Sequence, residues 1–261
     1  MGVKMKKFKV KKVLDQGASN PIVARILLQF SEMLSSGIDL PSTKKKEIVA
    51  ILIDCMKDLL FVEEKIEKYS TIEKEAIKAV KENFRINPGN CVDSSFDDPT
   101  IELQCLFEEI LIRAIMCVRR LRRIAALIFD RDFKKGNSIK TFLLEGFKEH
   151  KDLLKFIEHN ESLIQELYDI RGMIEHEELE ISPFDVIIEN NNPFIVLPSL
   201  RNGIVLHEYL KQTLKHVFNY IEQTTLVMFS LKLFPRLEII ELNDEESKKR
   251  NGVRYSLGLS V

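Results

Sequence analysis

TIELQCLFEEILIRAIMCVRRLRRIAALIFDRD, residues Thr100 to Asp132, repeats apolar side chains at three- and four-residue steps. Ile101, Leu103, Leu106, Phe107, Ile110, Leu111, Ile115, Val118, Leu121, Ile124, Leu127 and Ile128 cover most of a helical circumference, which predicts a helix buried on most sides. Some thirty residues at 1.5 Å rise make about 45 Å, enough to meet several partners at once. This helix is expected at the centre of an all-α protein.

Towards the N-terminus the helical period continues from Asn20 to Glu82. Pro21 suits a helix start, IVARILLQFSEML carries an apolar stripe, and Gly37 with Pro41 ends it. Ser42 is expected to cap a long amphipathic helix to Tyr69, with Thr71 restarting another to about Asn83. FRINPGNCVDSSFDDP then has the composition of a linker. Beyond the central helix, a turn at Lys134 to Asn137 precedes two predicted helices, about Ser138 to Ile157 and Glu161 to Glu177. The period then changes: FDVIIENNNPFIVLP reads as a hairpin about an Asn-Pro turn, and a last helix runs from about Ile204 to Phe234, closed by Pro235. RLEIIEL and VRYSLGLSV, around NDEESKKRNG, predict a second hairpin. The expected division is an N-terminal helical region with a basic arm (1–98), a helical bundle (99–235) and a hairpin tail (236–261).

With 261 residues, 45% hydrophobic, the chain can bury a full core, and its net charge of -1 gives no global field towards nucleic acid or membrane. Any nucleic-acid surface must be local. Lys4, Lys6, Lys7, Lys9, Lys11 and Lys12 crowd the first twelve residues, which read as a solvated arm too sparse in apolar residues for a signal-peptide core. Cys55, Cys91, Cys105 and Cys117 lack C-x2-C spacing and nearby histidines, so they are expected as small buried residues in a reducing compartment. Arg113 and Arg119 interrupt the longest apolar run before it could span a bilayer. A soluble, cytoplasmic protein is expected. There is no Gly-rich phosphate loop, H-E-x-x-H, nucleophile elbow or acidic metal cluster, so neither a metal nor a cofactor is implied.

Chemistry enters at YDIRGMIEH, Tyr168 to His176, where Arg171 and His176 stand in R-x4-H spacing. A permanent cation beside an imidazole that moves protons near pH 7 suits phosphate-ester cleavage without a metal, and RNA carries its own 2'-hydroxyl nucleophile. On an ideal helix Leu163, Leu167, Ile170 and Ile174 share one face, while Asp169, Gly172 and His176 take the opposite one. Arg171 and His176 then lie about 140° apart, so they meet one phosphate only at a helix end or across a dimer interface. The bland alternative is an ion pair between Arg171 and Glu175 one turn on, with His176 an ordinary surface residue. Arg201, Asn202 and His207 in LRNGIVLH form a second candidate in R-x5-H spacing. Arg113, Arg119, Arg120, Arg122 and Arg123 make a basic run in which Arg119, Arg122 and Arg123 share a side suited to an RNA backbone. Pairing with acidic residues of neighbouring helices is the alternative for them. Glu108 and Glu109 are candidate acidic supports.

ELYDIRGMIEHEE, late in a helical region and followed by one more long amphipathic helix, resembles the HEPN family over about Thr100 to Phe234. That resemblance implies a compact helical bundle acting as a homodimeric, metal-independent endoribonuclease, with Arg171 and His176 in the motif positions. Attack by the 2'-hydroxyl would leave a 2',3'-cyclic phosphate and a 5'-hydroxyl, with His176 moving the proton and Arg171 stabilising charge on the phosphorane. The family occurs in toxin–antitoxin, phage-defence and RNA-processing systems, so an antitoxin or other regulatory protein is an implied partner besides RNA. Family members commonly carry Asn, Asp or His after the arginine; Gly172 stands there, removing a polar group that helps orient the site. The alternative class is a non-catalytic helical module for dimerisation or for binding RNA or protein.

Overall fold

Asn20 opens the first helical unit by accepting the amides of Ile22 (2.8 Å) and Val23 (3.4 Å) on its side-chain oxygen, with Pro21 in the first turn. The computed structural model describes residues 17–83, 85–86, 92–93, 97–131, 151–176, 178–189 and 192–260, so the lysine-rich arm and the turn at 134–137 lie outside the described residues. A π-helical stretch, Val23–Leu28, leads into helix α1, Gln29–Ser36, which ends at Gly37.

Helix α2 runs unbroken over Ser42–Asn83, 42 residues, or about 63 Å at the standard rise. The expected break at Thr71 is absent because its hydroxyl donates to the Glu67 carbonyl one turn back, at 3.0 Å. A threonine bonded this way continues a helix whose apolar face is intact, and here Ile66, Tyr69, Ala76 and Val80 stay buried on both sides of it. Within the expected linker, β1 (Arg85–Ile86) pairs antiparallel with β2 (Val92–Asp93).

Helix α3, Thr100–Phe129, is central as expected, flanked by α2, by α4 (Lys151–Glu175) and by α5 (Leu206–Ser230). It ends at Asp130, whose φ of 55° places it in the left-handed region and whose carboxylate sits 2.9 Å from the Lys44 ammonium. One expectation fails here. Ile101 is 77% exposed, because the first turn of α3 projects that side chain to solvent while Leu103, Leu106 and Phe107 go into the core. Cys105 is exposed on the same outer face, contrary to expectation; Cys55 and Cys117 are buried across the α2–α3 contact, and Cys91 lies outside the described residues.

The two helices expected at about 138–157 and 161–177 are, where described, a single helix, α4. One buried cluster runs from Ile22 through α2, α3 and α4 to Phe229. After α4, β3 (Ile181–Ser182) pairs with β6 (Ser199–Leu200), and between them β4 (Asp185–Glu189) and β5 (Asn192–Val196) form the expected hairpin, Val186 opposite Ile195. Phe184, just before β4, packs on Ala76 and Val80 of α2. The tail pairs β7 (Leu237–Glu241) with β8 (Tyr255–Leu259), again as expected. Its connection holds a short helix that the sequence reading passed over, α6 (Asp244–Lys249), started by a reciprocal Asn243–Glu246 capping box.

A buried carboxylate ties these parts together. Glu222 of α5, fully buried, receives the Nε–Nη2 edge of the Arg25 guanidinium on its two oxygens and the Gln29 amide at 3.3 Å. Gln29 in turn accepts the backbone amides of Arg254 (2.9 Å) and Tyr255 (2.7 Å), fastening β8 to α1. No helix among the described residues is long and apolar enough to cross a membrane.

Candidate functional site

Helix α4 presents the two faces that its period predicts. Ile164, Leu167 and Ile170 are buried and Ile174 packs partly against the core, whereas Gln165, Glu166, Asp169, Met173 and His176 are exposed. The helix ends at Glu175, and His176, in the following turn, still donates its amide to the Gly172 carbonyl at 3.0 Å. His176 is therefore at a helix end and open to solvent.

Arg171 points the other way. Its guanidinium pairs with Glu175 one turn on, and its Nε is buried without a hydrogen-bond partner among the described residues. Tyr168, one turn before, carries the Arg119 guanidinium of α3 over its ring at 5.7 Å. Tyr168 thus puts one arginine of the basic run one turn from Arg171, while His176 follows the end of the helix. Among the described residues Arg171 and His176 make no hydrogen bond or ion pair with one another. A Cβ built on Gly172 would meet nothing within 4 Å, so open space borders the helix on the His176 side.

The second candidate pair is also drawn apart. Arg201 is largely exposed, 3.7 Å from Glu180, and Asn202 accepts the Ile204 amide in a turn where Gly203 adopts φ of 80°. His207, in the first turn of α5, faces inward: its Nδ1 is 2.9 Å from the buried Glu73 carboxylate of α2, at ion-pair distance but out of line for a hydrogen bond. Tyr69, one turn before Glu73, is fully buried with no protein partner for its hydroxyl among the described residues.

Burial, aided by Glu73, pushes the Tyr69 phenol pKa well above its ordinary value, and burial with Glu166 does the same for Tyr209. Both folded values exceed the unfolded one near 10, so the stability tied to the neutral phenols is complete below about pH 10 and is lost as pH rises beyond it. The urea midpoint is expected to stay level between about pH 7 and 9, then fall above about pH 10, and to fall less steeply in Tyr69→Phe. Equal alkaline slopes for the two proteins would remove Tyr69 from this account.

The basic run divides between uses. Arg120 donates to Asp58 (2.9 Å) and Asp54 (3.1 Å) on α2, and Arg113 lies 3.5 Å from Asp58 and over the Phe61 ring. These two follow the ion-pair alternative. Arg119 stacks on Tyr168, and Arg122 and Arg123 have no partner among the described residues. Of the acidic supports, Glu109 pairs with Lys65 at 3.1 Å and Glu108 accepts from Gln104 at 3.2 Å; neither contacts Arg171 or His176.

A feature absent from the sequence reading is a groove of about 770 Å³ along the face of α4 that carries Gln165, Asp169 and Met173. Ile170, Met173, Leu179 and Leu200 supply its apolar lining; Glu166, Asp169, Glu178 and Glu180 rim it with carboxylates. Among its described lining residues Arg201 is the one cation, and Glu180 already neighbours it. The acidic positions at 166 and 169, with Met173 one turn on, were the available sequence signal, but the opposite wall comes from residues 178–180 and 200–202. No group of three His, Cys, Asp or Glu among the described residues is arranged to hold a metal ion. No family model, curated protein or solved structure matches the chain.

Proposed function

We propose that this chain is a non-catalytic helical binding module of HEPN-like fold whose α4 groove takes a basic, amphipathic segment of a partner protein. The observation that carries this reading is the groove itself, with four carboxylates around an apolar lining. Carboxylates at that density repel an RNA backbone and attract lysines or arginines, while Met173, Leu179 and Leu200 accept apolar side chains between them.

A short synthetic peptide alternating lysine with phenylalanine and valine is the probe, followed by fluorescence anisotropy. Micromolar binding that weakens with salt is expected, along with at least a tenfold loss of affinity when Glu166 and Asp169 are both changed to Lys. No binding, or an affinity indifferent to those two substitutions, would overturn the groove assignment.

Metal-independent RNA cleavage by a homodimer is the second reading, favoured by the buried Arg171 Nε, which has no hydrogen-bond partner among the described residues, by Arg119 over the ring of Tyr168 one turn before Arg171, and by the exposed His176. In that case RNA and an antitoxin-type regulator are the partners, two copies of α4 supply one arginine and one histidine each, and Arg122 and Arg123 extend the phosphate track. Chelator-insensitive cleavage of RNA, lost in both Arg171→Ala and His176→Ala but retained in His207→Ala, would establish it over the binding module.

A further inference from the structure

Along α3, Ile101, Cys105, Glu108, Ile112, Met116 and Arg119 recur at steps of three and four, within about 40° of one direction at 100° per residue. None of them is buried, and the apolar members are well exposed: Ile101 77%, Ile112 43% and Met116 38%. The opposite face of the same helix is core, so this is the outer face of the central helix. A shallow depression of about 540 Å³ lies along its middle, bounded by Glu109 and Arg113 on the α2 side. With Arg123, one turn beyond Arg119, the stripe spans twenty-two residue steps, about 33 Å.

We infer that this face seats a second copy of the same helix, antiparallel, about a two-fold axis at Ile112. Charge selects both the occupant and the direction. The stripe is acidic before Ile112, at Glu108, and basic after it, at Arg119 and Arg123. A parallel pair sets Glu108 against Glu108 and Arg119 against Arg119. Turned end for end about Ile112, Glu108 falls opposite Met116 of the second copy and one turn from its Arg119, while the two Ile112 side chains meet. Arg113 and Arg120, held by Asp54 and Asp58, stay clear of the contact. A single helix pair of this length is at the small end of specific interfaces, so a micromolar dimer follows. This inference concerns a different surface from the α4 groove and does not rest on it.

Sedimentation velocity on the full chain across the micromolar range is the test. The wild-type protein should dimerise, Ile112→Asp should weaken the dimer at least tenfold, and so should Glu108→Arg. Combining Glu108→Arg with Arg119→Glu should restore it, a result that surface unfolding or a general charge effect would not give. Ile112→Cys with a short bis-maleimide should add cross-linked dimer over the wild-type chain, whose two exposed Cys105 thiols would lie about 21 Å apart along the axis in this register. A monomer at every concentration, a dimer indifferent to Ile112→Asp, or cross-linking through Cys105 as efficient as through Ile112→Cys would overturn the assignment.

Discussion

Glu222→Ala is expected to lower folding stability by about 3–5 kcal/mol, the cost of leaving a partly buried cation without its counter-charge. Glu222 is fully buried and the Arg25 side chain is only 17% exposed. Besides its carboxylate partner, Arg25 donates to Asn219 at 3.0 Å and lies over the Phe218 ring at 4.2 Å, so it has no easy route back to water. The same substitution removes an acceptor from Gln29 and a neighbouring charge from Arg254, 3.9 Å away. Urea unfolding of Glu222→Ala, Arg25→Ala and the double variant measures it; the double should cost less than the two singles added. A single-variant loss under about 1 kcal/mol would mean that the pair is solvated in solution.

Phe229→Ala is the second large effect, at about 3–5 kcal/mol. Phe229 and Phe30 are both fully buried and meet edge to face, centroids 5.4 Å apart at 77°, which couples α5 to α1 through ring contact as well as area. Truncation leaves a cavity that neither helix can close, because the Glu222 network and the Ile38–Leu233 bridge fix their spacing. Phe229→Leu, which keeps most of the volume, should lose clearly less. The urea midpoint should fall while the m-value stays constant; a changed m-value would locate part of the effect in the unfolded chain.

Periodicity made the centre of the fold legible, because Leu103, Phe107, Ile110, Ala114, Leu121 and Ile124 give α3 one continuous buried face. Turn chemistry likewise marked the β4–β5 hairpin. Thr71 was misread because a hydroxyl can cap a helix or bond back into one, and the choice depends on whether the apolar face continues beyond it. Ile101 was misread because a helix apolar on most sides does not announce which turn outruns its cover. For the candidate site, the exposure of His176 and the angle separating it from Arg171 could be read from helical geometry alone. The destination of Arg120 could not, since Asp54 and Asp58 are more than sixty residues away in the chain. The carboxylate-rimmed groove was equally hidden, as its walls come from three separate segments.

The contact between Gln29 and the backbone of Arg254 and Tyr255 spans 225 and 226 positions of sequence. During synthesis on the ribosome, α1 emerges long before the strand that covers it, and the amide oxygen of Gln29 waits for donors until residue 255 is free of the exit tunnel. The helices can collapse on one another earlier, since α2 and α3 adjoin in sequence and pack directly. The seam that joins α1 to β8 therefore closes only after residue 255 has emerged, and a nascent polypeptide stalled before Arg254 presents that seam open to chaperones and proteases.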